Sequence, residues 1–186
     1  MGSINKKKKI FEEISYIERD SLILKKIDEC DKDKLDKLRK SDLVYKYLPT
    51  FLFEQKYSDI DKVKSGLYTE LIDYKESVIL GIYLKDGLEF CGICELYGFK
   101  DKIHKISIGY RLAEEYWGRG IATKTVSIMI DYLYQKTDTE IITASTIIEN
   151  KASANVLRKN GFDLVLSAVP EDWGFPEPTI SDKWIR

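Results

Sequence analysis

Histidine is almost missing from this chain of 186 residues: His104 is the only one. Cysteine is scarce too, with three, and methionine stops at two. One imidazole and an odd set of thiols supply neither a zinc-ligand spacing nor a disulfide framework, so no metal site is expected. Cys91-Gly-Ile-Cys94 has C-x-x-C form, but in a strand-like run a spacing of three sends the two side chains to opposite faces. Free thiols fit a reducing cytoplasm, which is the expected location. Charge of one sign is also lacking: 30 Lys and Arg against 31 Asp and Glu leave a formal net charge of −1. That balance builds no strong field toward nucleic acid or an anionic membrane, and neither is an expected partner. No apolar run nears the roughly 20 residues that cross a bilayer. The basic segment Lys6 to Lys9 lacks the apolar stretch of a signal peptide. Residues 1–20 therefore read as a basic tail and lead-in to a single domain over 21–186.

What is present is a well-punctuated alternation of periodicities. Residues 21–27 alternate loosely as a strand, and 31–40 place Leu35 and Leu38 on one face of an amphipathic helix. Ser58 is expected to cap a second helix through Val63, Leu67, Leu71 and Ile72. Two strands, 78–85 and 88–99, flank the turn pair Asp86-Gly87, a strong hairpin signal. A third, 103–112, completes an antiparallel meander. Then follow a helix over about 118–135, a β-branched strand over 140–148, and a helix over 151–159 stopped by Asn160-Gly161. Strands at 162–169 and 180–185 close the chain, separated by a loop at 170–178 that holds three of the four prolines. The order β-α-α-β-β-β-α-β-α-β-β implies an α/β fold: a mixed, mostly antiparallel central sheet with helices on both faces.

One junction stands out. Residues 115–123 read Glu-Tyr-Trp-Gly-Arg-Gly-Ile-Ala-Thr between a strand-like and a helix-like run. A glycine-punctuated strand-to-helix turn exposes unpaired backbone N–H groups at the positive end of a helix dipole, a ready phosphate site. It is not a Walker A loop, which needs G-x-x-x-x-G-K-[ST]. Nor is it a Rossmann fingerprint, since Thr123 stands at the third glycine and the preceding strands form a meander.

Trp117-Gly118-Arg119-Gly120-Ile121-Ala122 resembles motif A of the GCN5-related N-acetyltransferases (the GNAT superfamily). The wider string Ile108-Gly-Tyr-Arg-Leu112 with Tyr116 to Thr123 is similar to the RimJ/RimL-type branch, as is Asn150-Lys-Ala-Ser153 with Leu157-Arg-Lys-Asn-Gly161-Phe162. The resemblance is dense over 95–162. It implies acetyl-CoA as cosubstrate, an amine acceptor, and direct attack in a ternary complex without a covalent enzyme intermediate. The acceptor class it implies is a primary amine, either a protein N-terminus or a small molecule, taken by a monomer or homodimer. On this resemblance Trp117, Gly118, Arg119, Gly120, Ile121, Ala122 and Thr123 hold the pyrophosphate. Leu112 and Ala113 lie beside pantetheine, with the Leu112 amide supporting the oxyanion. Asn150 hydrogen-bonds pantetheine, and Ser153 sits near the sulfur.

Two family positions depart from the usual pattern. The tyrosine that serves many members as general acid is Leu157 here, and the glutamate two residues before the Gly-Tyr pair is Ser107. Ser153, another tyrosine or solvent is then left to protonate the thiolate, and Glu95 is the first candidate for the base. Those departures keep a second reading open: a CoA-binding regulatory or interaction module without catalysis. Asp172, Trp173 and Phe175, in the proline-rich loop, suit either a cationic amine or packing at an edge. His104 is expected to be exposed and idle.

Overall fold

The structure, a computed structural model, describes residues 16–48, 54, 57–99, 104–173 and 176–186. Two short strands, β1 (Tyr16–Arg19) and β2 (Leu22–Lys25), form a hairpin. Part of the expected lead-in is thus an edge strand of the sheet, while residues 1–15 lie outside the described residues. Helix α1 (Lys32–Arg39) buries Leu35 and Leu38, as its spacing predicts. The short α2 (Asp42–Tyr45) is capped by Ser41, whose Oγ accepts the Val44 N–H. Helix α3 (Thr69–Asp73) continues a wider-wound segment, Lys62–Tyr68. The capping bond ahead of that segment comes from Asp59, whose Oδ1 accepts the Asp61 N–H at 2.9 Å, and not from Ser58.

Strands β3 (Ser77–Leu84), β4 (Glu89–Tyr97) and β5 (Lys105–Leu112) make the meander, with the first hairpin turning at Asp86-Gly87. Helix α4 (Ile121–Lys136), β6 (Ile141–Ile147), α5 (Lys151–Lys159), β7 (Asp163–Glu171) and β8 (Thr179–Ile185) follow. Since β7 runs on to Glu171, the segment between the last two strands is shorter than expected. The eight strands lie in the order β1-β2-β3-β4-β5-β6-β8-β7, and β5 and β6 form the parallel pair in an otherwise antiparallel ladder.

A core lies on each face of this sheet. On one, Leu24, Leu80, Leu96 and Ile108 meet Val126, Met129 and Leu133 of α4 and Leu157 of α5. On the other, Ile79, Tyr83 and Ile93 meet Leu35, Leu38, Tyr45, Val63 and Tyr68. Within the meander the alternation fails once. Tyr83 opposes Phe90 whereas Ile82 opposes Gly92, so Cys91 is the extra residue of a β-bulge. A bulge shifts which face later side chains take. Cys91 and Cys94 consequently share the α4 core, correcting the expectation that they face apart. Among the described residues no helix is long and apolar enough to cross a membrane.

Candidate active site

The loop between β5 and α4 begins with a tight turn, Glu114–Tyr116. Gly118 (φ 72°) and Gly120 (φ 75°) then take the left-handed conformation that side chains resist. A Cβ at either position would meet nothing within 4 Å among the described residues. The N–H groups of Gly118, Arg119, Gly120, Ile121, Ala122 and Thr123 have no hydrogen-bond partner among the described residues. The helix ladder starts only with Lys124 N–H donating to Gly120 O, at 3.1 Å. Six donors at the positive end of a sixteen-residue helix form a nest for an anion. Trp117 anchors this nest, its Nε1 donating to Leu112 O at 2.8 Å. The Arg119 guanidinium lies over the Tyr116 ring, 5.5 Å from its centroid.

The anchor leads to a gap in the sheet. β5 and β6 pair only from Lys105 to Ser107 against Ile141 to Thr143. Past that point β5 continues to Leu112 and β6 to Ile147 without pairing to each other, each held by its outer neighbour. Which backbone groups face the gap follows from both sides. Ala113 N–H donates to Cys91 O on β4, at 2.9 Å, so the alternation of an extended strand turns the Leu112 N–H the other way. On β6, Ile142 exchanges both main-chain bonds with Arg186, which leaves Ile141 and Thr143 facing β5. The main-chain groups of Ile108 and Tyr110, and the N–H of Leu112, therefore line the gap; the Leu112 carbonyl is taken by Trp117. Ala113, named with them from the sequence, has its N–H on Cys91 and its carbonyl on the Tyr116 N–H. Its main chain is spent on the fold.

A matching family model decides the lineage: an acetyltransferase (GNAT) domain covers residues 21–163. The chain belongs to the GNAT acetyltransferases. It is 26% identical over 146 residues to the uncharacterized N-acetyltransferase YoaA of Bacillus subtilis, covering 78% of this chain and 81% of that one. Among solved structures it matches the fold of a spermidine N-acetyltransferase from Vibrio cholerae in complex with CoA and spermine. The TM-score is 0.74 at 17% identity, over 89% of this chain and 95% of that one. It matches equally RimL, a ribosomal α-N-protein acetyltransferase in complex with coenzyme A, with TM-score 0.74, 18% identity, and 92% and 97% of the two chains.

Around the gap of this GNAT domain the remaining named residues fall into two groups. Asn150 and Ser153 open α5 on the α4 side. Asn150 is the helix cap, with Oδ1 accepting the Ser153 N–H at 3.1 Å. Ser153 Oγ accepts the Tyr110 hydroxyl at 3.2 Å, a contact that bridges from β5 to α5. Glu95 lies on the other face. It stands opposite Gly109 on β5, in line with Ile93 and Arg111. The carboxyl is 8% exposed and accepts from Ser77 Oγ at 2.7 Å. Burial pushes its pKa up to about 7, against the Ser77 hydrogen bond and the positive charge of Arg111, with Glu54 adding to the rise. Among the described residues, a Cβ on Gly109 would touch only Tyr97, at 3.9 Å.

The other positions take plainer places. Leu157 is packed in the core at 2% exposure, and Ser107 Oγ is bonded to Thr143 Oγ1 at 2.8 Å where β5 and β6 are still paired. His104 is exposed beside Asp138. Trp173 Nε1 donates to Glu171, which is desolvated yet held below the usual carboxylate range by Lys183, Ser181 and that indole. Phe175 lies outside the described residues. A cluster of possible metal ligands, Asp28, Cys30 and Asp31, has Asp28 paired with Lys25 and Asp31 with Lys34.

Sequence reasoning missed two features. One is Tyr110 as the partner of Ser153. The other is a buried ion pair beneath the Glu95 face: Arg111 to Glu54, with Tyr45 and Tyr68 donating to the same carboxylate. Arg111 and Glu54 are 57 residues apart, and no local pattern links such positions.

Proposed function

We propose that this chain moves an acetyl group from acetyl-CoA to a primary amine, by direct attack in a ternary complex. The observation that carries the reading is one continuous feature: a gap between β5 and β6 that ends on a nest of unpartnered N–H groups. A pyrophosphate suits the nest, where each charge-assisted hydrogen bond is worth about 1.5–3 kcal/mol. The space left beside Gly118 and Gly120 among the described residues fits a ligand there. The cosubstrate supplies an activated thioester, and this chain's groups do the rest. Gly118 to Thr123 bind, with Trp117 fixing the loop. Asn150 caps α5 with its Oδ1 spent on the Ser153 N–H, so its Nδ2 is the group left to donate to the pantetheine arm.

Leu112 N–H points into the gap, where it supports a developing oxyanion. Glu95 takes the proton from the acceptor ammonium, directly or through water. Its pKa near 7 keeps a large fraction ionised at neutral pH while remaining basic enough to receive that proton. Ser153, on the opposite face, hydrogen-bonds the departing sulfur. Direct attack is supported by the buried cysteines: burial pushes the Cys91 thiol up to about 11 and Cys94 to about 12, which removes both as nucleophiles at neutral pH.

Parallel calorimetry with acetyl-CoA, CoA and ATP tests the reading, followed by a free-thiol assay across polyamines, amino acids, aminoglycosides and peptide N-termini. Micromolar binding of both CoA species without ATP, with turnover on one acceptor, is the expected result. Tight CoA binding without turnover on any amine supports the non-catalytic module instead. No CoA binding overturns both.

A further inference from the structure

Building on the acetyl-transfer reading, we infer that Tyr110 is a positioning residue that sets the direction of the Ser153 hydroxyl toward the leaving sulfur. The argument begins with one hydrogen. A serine hydroxyl has a single O–H to give and lone pairs to receive with. At Ser153 the receiving side is occupied, because the Tyr110 hydroxyl donates to Oγ at 3.2 Å. Among the described residues Ser153 Oγ donates to nothing, although many helical serines turn this hydrogen onto a carbonyl one turn back. The Tyr110 bond therefore leaves the Ser153 hydrogen unspent and pointing away from the phenol.

Position adds the second half. Tyr110 is on the stretch of β5 that no longer pairs with β6, and Ser153 is on the first turn of α5, the helix that follows β6, so their contact links the elements on either side of the gap. The α5 N-terminus, capped by Asn150, supports negative charge on the same spot. Burial raises the Tyr110 phenol above its ordinary value. The phenol stays protonated, and so keeps a hydrogen to donate, throughout neutral and mildly alkaline pH.

In the step itself the amine nitrogen forms its bond to the acetyl carbon, and the C–S bond breaks with its electron pair going to sulfur. Ser153 O–H hydrogen-bonds that thiolate, and the proton that completes the thiol is the one shed by the amine, returned through water. Neither Ser153 nor Tyr110 ends the cycle charged. Leu157, at the family's tyrosine position, is locked in the core, so the phenol that serves this sulfur comes from the strand rather than the helix.

Tyr110→Phe, Ser153→Ala and the double variant test this by acetyl-CoA calorimetry and steady-state kinetics. Tyr110→Phe keeps the ring and its packing. It is expected to lower kcat about tenfold, the worth of one oriented hydrogen bond, with acetyl-CoA Kd and amine KM within about twofold. Ser153→Ala is expected to lower kcat at least as much, and the double variant no further, because Tyr110 acts only through Ser153. Ser153→Thr keeps the hydroxyl and is expected to retain sensitivity to Tyr110→Phe, an arm that reads out even where Ser153→Ala disturbs α5. An unchanged kcat in Tyr110→Phe, or losses that multiply in the double variant, overturns the inference while wild-type turnover keeps the acetyl-transfer reading intact. A wild type that binds no acetyl-CoA overturns both.

Discussion

Glu95 carries two opposed consequences of one carboxyl. Its pKa in the folded chain is about 7, against an ordinary 4.5, because burial disfavours the charged form. Below about pH 4.5 both folded and unfolded chains hold the proton, and the site costs nothing. Between there and pH 7 the unfolded chain releases the proton while the folded chain keeps it, so stability falls as pH rises. Above 7 the folded carboxylate is ionised in place, and the loss levels off near ~3 kcal/mol. Glu95→Gln is therefore expected to stabilise the protein at pH 8 by up to that amount and to change little at pH 4, as read by urea denaturation. The same change is expected to flatten the acid limb of the pH–rate profile, whose midpoint is expected near 7 in the wild type. A variant more stable at pH 8 with an unmoved acid limb would remove Glu95 as the base and leave only a buried carboxyl.

At the scale of elements, the β5–α4 loop and the ion pair beneath β5 make separable predictions. Gly120→Asp forces a side chain into a left-handed position and aims a carboxylate at the nest. Acetyl-CoA affinity is expected to fall at least a hundredfold by calorimetry, with far-UV dichroism retained. Unchanged affinity would sink the loop assignment. Arg111 and Glu54 are both fully buried, at 1% and 0% side-chain exposure. Breaking such a pair from one side leaves an uncompensated charge, so Arg111→Met is expected to cost about 3–5 kcal/mol, and adding Glu54→Gln is expected to recover part of it.

These two features also mark what a linear reading reaches. The loop was legible because glycine spacing, a preceding strand and a following helix all lie within a dozen residues. The meander was legible from Asp86-Gly87 and from period-two alternation. The ion pair and the Tyr110–Ser153 contact join residues 57 and 43 positions apart, and no local period encodes a contact across the sheet. β1 escaped because four residues at an exposed edge carry almost no burial pattern. Cys91 and Cys94 were misplaced because a bulge shifts the alternation without leaving a composition signal.

For the molecule as a whole, the sheet is two wings joined at β5 and β6 by a parallel ladder of three residue pairs. One wing, β1 to β5, carries Leu112, Tyr110, Glu95 and the root of the loop; the other, β6 to β8, is followed by Asn150 and Ser153 where β6 gives way to α5. A ligand lying along the gap makes contacts with both wings, and its free energy is spent on holding them together as well as on filling the nest. At a hundredfold excess over Kd, binding stabilises the fold by about 2.7 kcal/mol, a rise readily seen in thermal melting. Its distribution is the sharper test. Hydrogen exchange with acetyl-CoA is expected to slow at Gly118 to Thr123, at Leu112, whose N–H faces the gap, and around the α5 cap together. The nest donors are occupied directly, while the wings lose their independent opening. Free pyrophosphate is expected to slow only the loop. If acetyl-CoA gives that same loop-only pattern, the ligand rests on the nest without entering the gap, and Leu112 and Ser153 lose their proposed roles together.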